Sequence, residues 1–177
     1  MKTDHLKACD ILLYRGTDFT SWLIQVGSKS AYSHVAVVVD PEIFLGIESN
    51  TGHQSGVRAM DLRQADDGKV DVFRMKPGSI FDSDQVISFL VGHLGAKYDW
   101  TGVISLGALK AVSFATGGKF QKHNQFQKDK DYFCSELVYQ AFKEGGLDIV
   151  PQIGEAEITS PGDIARSPLI AKVPGTV

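Results

Sequence analysis

Ser33-His34-Val35-Ala36-Val37-Val38-Val39, closed by Asp40-Pro41, is the clearest strand in the chain. Its β-branched residues suit a pleated strand better than a helix, and its apolar residues on both faces mark a strand covered from both sides. Working outward, Ile11-Leu12-Leu13-Tyr14, ahead of Arg15-Gly16, reads as a second buried strand within residues 10–14. Residues 43–49 and 57–62 read as the next strands, separated by the polar turn Asn50-Thr51-Gly52-His53-Gln54-Ser55-Gly56. Residues 70–75 add a fourth strand to an apparent meander.

Around these strands the periodicity is helical. Thr17 or Asp18 can cap a short helix through Val26, with Trp22, Leu23 and Val26 on its apolar side. Asp82 or Ser83 caps a second helix, with Val86, Phe89, Leu90 and Leu94 on one face and an end at Gly95. A further helical region runs from Trp100 towards Thr116, and residues 117–131 read as a polar, lysine-bearing loop. Ser160-Pro161-Gly162-Asp163 is a helix start, and residues 169–173 suit a last short strand. Grouped strands flanked by helices predict an α+β fold, an antiparallel sheet or small barrel packed against helices, in one domain over residues 1–177.

Composition narrows the function classes. A charged fraction of 22% and a hydrophobic fraction of 43% are ordinary for a globular protein. The net charge of -3 and the absence of a Lys/Arg run argue against nucleic acid as a partner. The N-terminus lacks the apolar core of a signal peptide, and the most apolar later stretch, residues 102–116, is too short to span a bilayer and carries Lys110. The expectation is a cytoplasmic protein with no stable membrane anchor. The two cysteines, Cys9 and Cys134, form neither a disulfide framework nor a zinc-type pair, and the five histidines are scattered, so no metal or other cofactor is expected.

The residues that carry chemistry begin with Cys134, in Asp131-Tyr132-Phe133-Cys134-Ser135-Glu136-Leu137-Val138. Leu137, Val138, Ala141 and Phe142 recur at helical spacing until Gly145-Gly146, which puts the sulfur in the first turn of a helix. Unpaired N–H groups and the positive end of the helix dipole there favour a thiolate, the attacking form. The plainer reading is a small buried core residue. A thiol nucleophile needs a base, and His34 stands out because an imidazole inside an apolar strand is costly unless its nitrogens find partners. Strand alternation puts it on the face of Ala36 and Val38. Glu48, projecting from the apolar run Ile43-Phe44-Leu45-Gly46-Ile47, can accept the second imidazole proton if its strand pairs antiparallel to that of His34. Otherwise it is a strand-end carboxylate reaching water. Asn50 and His53 are alternative orienters.

Taken together, Ser33-His34-Val35, Glu48 and, about one hundred residues later, Phe133-Cys134-Ser135-Glu136-Leu137-Val138 resemble the circularly permuted NlpC-type papain-like family, its YiiX-like branch in particular. Asp10-Ile11-Leu12-Leu13 looks like that family's first strand, Leu94-Gly95-Ala96-Lys97-Tyr98-Asp99-Trp100-Thr101-Gly102 like its Gly-x-x-Tyr-Asp-aromatic motif, and Ser160-Pro161-Gly162-Asp163-Ile164-Ala165-Arg166-Ser167-Pro168 like its C-terminal segment. The resemblance implies a permuted papain-like fold and a thiol hydrolase or acyl-transfer enzyme. Cys134 would be the nucleophile, His34 the general base and then acid, Glu48 the orienting residue, and Tyr98 an oxyanion-stabilising hydroxyl beside the Cys134 N–H. Two departures stand out: Cys9 occupies a place where the family commonly has glycine, and residues 117–131 lengthen the path from the tyrosine motif to the cysteine.

The leading expectation is a cysteine amidase or peptidase acting on a small peptide-like or N-acyl amide. The alternatives are a lipid-directed acyltransferase or lipase like the related lecithin:retinol acyltransferases, with Val103-Ile104-Ser105-Leu106-Gly107-Ala108-Leu109 lining an acyl pocket, and a non-catalytic binding module on the same fold.

Overall fold

The structure is a computed structural model that describes residues 4–17, 19–51, 55–65, 68–97, 132–153 and 159–174. Its elements run β1 (Ile11–Tyr14), α1 (Phe19–Ser28), β2 (His34–Asp40), β3 (Leu45–Asn50), β4 (Gly56–Asp61), a 3-10 turn (Leu62–Gln64), β5 (Val70–Met75), α2 (Ser83–Gly92), α3 (Cys134–Glu144), α4 (Pro161–Ala165) and β6 (Ile170–Lys172). The fold class is α+β, as expected. The described strands form one six-stranded antiparallel sheet in the order β4-β3-β2-β1-β5-β6, which is open rather than a closed barrel.

The meander stops one strand earlier than the sequence predicts. β2, β3 and β4 are consecutive neighbours, but β5 crosses over to pair with β1. The reason is burial: Ile11, Leu12 and Leu13 are all fully buried, so β1 needs a neighbour on each edge and cover on each face. The crossover is anchored by Asp71 of β5, whose buried carboxylate takes Arg15, Tyr32 and Lys172.

Strand alternation sorts the core into two layers. Ile11, Leu13, Val35, Val37, Ile47 and Phe73 face α2 and α3, meeting Val86, Leu90, Leu137, Val138, Ala141 and Phe142. Leu12, Ala36, Val38, Val70 and Val72 face the other way, under Leu6, Leu62 and Ala65. α2 is capped by Asp82, whose Oδ1 accepts from the N–H groups of Asp84 and Gln85, and it ends at Gly92, earlier than the Gly95 of the sequence reading. α4 begins with a capping box in which Ser160 and Asp163 satisfy each other's backbone N–H groups. Val26, expected on the apolar side of α1, is 57% exposed, because α1 leans on the short α4 and not on the main core. Asp18, His53, Tyr98 and the regions 100–116 and 117–131 lie outside the described residues.

Two backbone positions have positive φ where it constrains the residue. Gly56 opens β4 at φ 118°, and a Cβ there would come within 2.2 Å of the Ala96 carbonyl oxygen. That close approach lets Val57 exchange backbone hydrogen bonds with Gly95 and Ala96 at 2.9 and 2.8 Å. Cys9 has φ 65°, a left-handed conformation that glycine adopts without strain.

Candidate active site

β2, β3 and α3 supply one residue each. His34 opens β2 and lies opposite Tyr14 of β1, whose ring centroid is 5.4 Å from its own. On β3, Glu48 is the direct partner of Ala36, two residues along from His34 on the same face. Antiparallel pairing thus makes Glu48 the diagonal neighbour of His34, within reach of a long side chain. The contact forms: His34 Nε2 and Glu48 Oε2 are 2.6 Å apart. The expected antiparallel pairing and the expected histidine–carboxylate contact are both present.

Glu48 is more than a strand-end carboxylate. It is buried, and its direct partner on β4 is Arg58. Arg58 donates to Glu48 Oε1 from Nε at 2.9 Å and from Nη2 at 2.7 Å, and Asn50 Nδ2 donates to the same oxygen at 3.0 Å. Burial alone would raise the carboxyl pKa. The His34 bond and charge, then Asn50 and Arg58, outweigh it and hold the pKa down to about 2. The sequence reading missed Arg58. Strand alternation could have found it, since Arg58 interrupts the apolar pattern directly across a hairpin from Glu48.

His34 has an ionised partner in Glu48. Burial pushes the imidazole towards its neutral form, but the influence of Cys134 and Glu48 outweighs it and raises its pKa from the ordinary 6.5 to about 10. Glu48 holds Nε2, so Nδ1 is the ring nitrogen left for another partner. The side chain keeps 22% of its surface exposed.

Cys134 is the first residue of α3, where the sequence places it, and is 3% exposed. Phe133 precedes it in extended conformation and offers no side-chain cap, so the first-turn N–H groups are not capped from that position. Two tethers seat this helix start. Ser49 Oγ donates to the Tyr132 carbonyl at 2.6 Å, and Ser135 Oγ donates to the Thr159 carbonyl at 2.7 Å. Neither serine drew attention in the sequence, because nothing local in a serine says which distant backbone it will bind.

A cavity of about 620 Å³ opens over the carboxylate side of this arrangement, with Tyr14, Ser33, His34, Glu48, Arg58 and Met60 in its wall. The Cys134 sulfur is not part of that wall. Tyr98, the fourth residue of the expected site, lies outside the described residues.

No family of known proteins matches the chain, and no curated protein sequence is similar to it. Among solved structures, it is similar to the metalloprotein YiiX (DUF1105) from Escherichia coli O157:H7, with a TM-score of 0.67 and 18% identity over 94% of this chain and 96% of that one. The likeness is one of fold, and the YiiX-like fold is the one the sequence leads one to expect. Among the described residues the neighbour's description as a metalloprotein finds no counterpart. Among the described residues no three His, Cys, Asp or Glu side chains are placed to hold a metal ion. Both oxygens of Glu48 are engaged by nitrogen donors, so the donor set at His34 does not fit a metal. No helix among the described residues is long and apolar enough to cross a membrane.

Proposed function

We propose that this protein is a cysteine hydrolase that cleaves a small peptide-like or N-acyl amide through a thioester. The observations that carry the reading are the 2.6 Å contact of His34 with the buried Glu48 and the place of Cys134 on the first residue of a helix, with Cys134 among the groups that act on the imidazole. An imidazolium beside a sulfur at a helix N-terminus favours the thiolate, and that is the nucleophile the reaction needs.

In the first half-reaction the Cys134 sulfur attacks the amide carbonyl carbon. The Cys134 backbone N–H and the Tyr98 hydroxyl are the proposed donors to the tetrahedral oxyanion. His34 then protonates the departing amine as the carbon–nitrogen bond breaks, leaving a thioester on Cys134. In the second half, neutral His34 takes a proton from water, the hydroxide attacks the thioester carbonyl, and the carboxylic acid leaves as the sulfur is released. Glu48 holds the ring in one tautomer and stabilises the imidazolium, while Asn50 and Arg58 keep Glu48 charged.

The test is trapping of the acyl-enzyme. With p-nitrophenyl acetate, a burst of one p-nitrophenolate per chain and one acetyl group on Cys134 by peptide mass mapping support the reading. A linear release with no burst, unchanged in Cys134→Ala, contradicts it.

A further inference from the structure

The cavity beside His34 is polar where a lipid site would be apolar, and its outstanding feature is Arg58. Nε and Nη2 of the guanidinium are committed to Glu48 Oε1 at 2.9 and 2.7 Å. A guanidinium has five N–H donors in a planar fork, so this arrangement uses one edge and leaves the other, with Nη1, unused. Nη1 makes no hydrogen bond among the described residues, and the Arg58 side chain is 31% exposed where it lines the cavity. We propose that this edge of Arg58 is a subsite for a carboxylate on the substrate, which makes the substrate an acidic peptide-like amide. The proposal rests on the cysteine-hydrolase reading and names the substrate class of that site.

Three observations favour an anion there. Glu48 spreads its single charge over three partners, His34, Asn50 and Arg58, and meets only one edge of the guanidinium. The other carboxylate in the wall, Asp61, is already chelated by Arg63, through Nε at 2.9 and 3.1 Å and Nη2 at 2.7 Å, and its repulsion is offset. The rest of the wall includes Ser33, Asn50, Thr51 and Gln64, which hydrogen-bond a peptide readily and would be desolvated without return by an alkyl chain. A volume of about 620 Å³ suits a ligand the size of a dipeptide. Charge-assisted, bidentate pairing is what the planar fork supplies and a lysine does not.

The experiment titrates N-acetyl-L-glutamate and N-acetyl-L-glutamine into Cys134→Ala, Cys134→Ala/Arg58→Gln and Cys134→Ala/Arg58→Lys, followed by amide chemical shifts. Expected is a preference for the glutamate of about tenfold in Cys134→Ala, weakening with salt and falling below about twofold in Arg58→Gln. Arg58→Lys keeps a cation beside Glu48, so it guards against loss of fold, and it too loses most of the preference. Equal binding of the two ligands to Cys134→Ala, or a preference that survives both Arg58 changes, overturns the subsite. Because nothing here turns over, the result is independent of catalysis. A glutamate preference in Cys134→Ala that is lost with the Arg58 changes, together with a missing burst in the wild type, supports the subsite and removes the hydrolase reading alone.

Discussion

Glu48 and Ser49 are neighbours in sequence, yet they serve opposite faces of β3. Glu48 reaches across one face to His34 Nε2 at 2.6 Å, and Ser49 Oγ reaches from the other to the Tyr132 carbonyl at 2.6 Å, two residues before Cys134. One strand therefore positions both the His34 ring and the segment that carries the sulfur. The period-two alternation of a strand makes this division automatic once β3 is in register.

Ser49→Ala separates the two roles. The Tyr132 carbonyl loses a buried donor, which costs about 1–2 kcal/mol. The His34–Glu48 contact stays intact, so the histidine titration seen by NMR is unchanged, while the rate of Cys134 alkylation falls. A large shift in the histidine titration with no change at Cys134 would contradict the assignment.

Glu48→Gln removes the carboxylate that joins two cations. The expected loss is about 3 kcal/mol at pH 7, the low end for orphaned buried charges because His34 and Arg58 keep a route to water. Glu48 has a folded pKa of about 2, below the ordinary 4.5, so its contribution is present above pH 4.5 and is lost as the pH falls towards 2. The stability difference between wild type and Glu48→Gln should shrink over that window. His34 runs the other way: its folded pKa of about 10 lies above 6.5, so its contribution is whole below pH 6.5 and is lost as the pH rises towards 10. Denaturant melts across the pH range read both slopes.

Cys134→Ala should leave stability within about 1–2 kcal/mol, since a small residue replaces a small one, and abolish acyl-enzyme formation. Collapse of the fold would instead mark Cys134 as a packing residue. Cys9 provides the contrast. Burial, with the charges of Asp10 and Asp84, pushes its thiol up to about 11, so iodoacetamide at neutral pH should label Cys134 and leave Cys9 untouched by peptide mapping.

Gly56→Ala tests the backbone contact beside the site. Its φ of 118° and the 2.2 Å approach of the added Cβ to the Ala96 oxygen leave no relaxed solution, and a loss of more than about 2 kcal/mol follows. A thermal melt within error of wild type would show that the 93–96 turn moves away freely.

Most of the layout was legible because it rests on short-range rules. The apolar run of residues 11–14 marked β1, the β-branched run after His34 marked β2, and the helical spacing of Leu137, Val138, Ala141 and Phe142 placed Cys134 at a helix start. His34 and Glu48 stood out because polar side chains in buried strands need partners. What escaped was long-range. The β1–β5 pairing depends on which strand most needs cover, and Arg58, Ser49 and Ser135 acquire meaning only after strands and helix are docked. Whether Cys134 packs or reacts likewise turns on what lies near it in the fold and not on its own flanking residues.

The central claim is that His34 activates Cys134, and the pH dependence of iodoacetamide alkylation tests it directly. The proteins are Cys9→Ser alone and with His34→Ala or Glu48→Gln added. The account predicts that Cys134 in Cys9→Ser still reacts at pH 6, on the order of 100-fold faster than an ordinary thiol of pKa about 8.5, that His34→Ala loses this acid limb, and that Glu48→Gln keeps only part of it. If all three proteins instead titrate alike near pH 8.5, His34 does not activate the sulfur and the proposed chemistry is wrong.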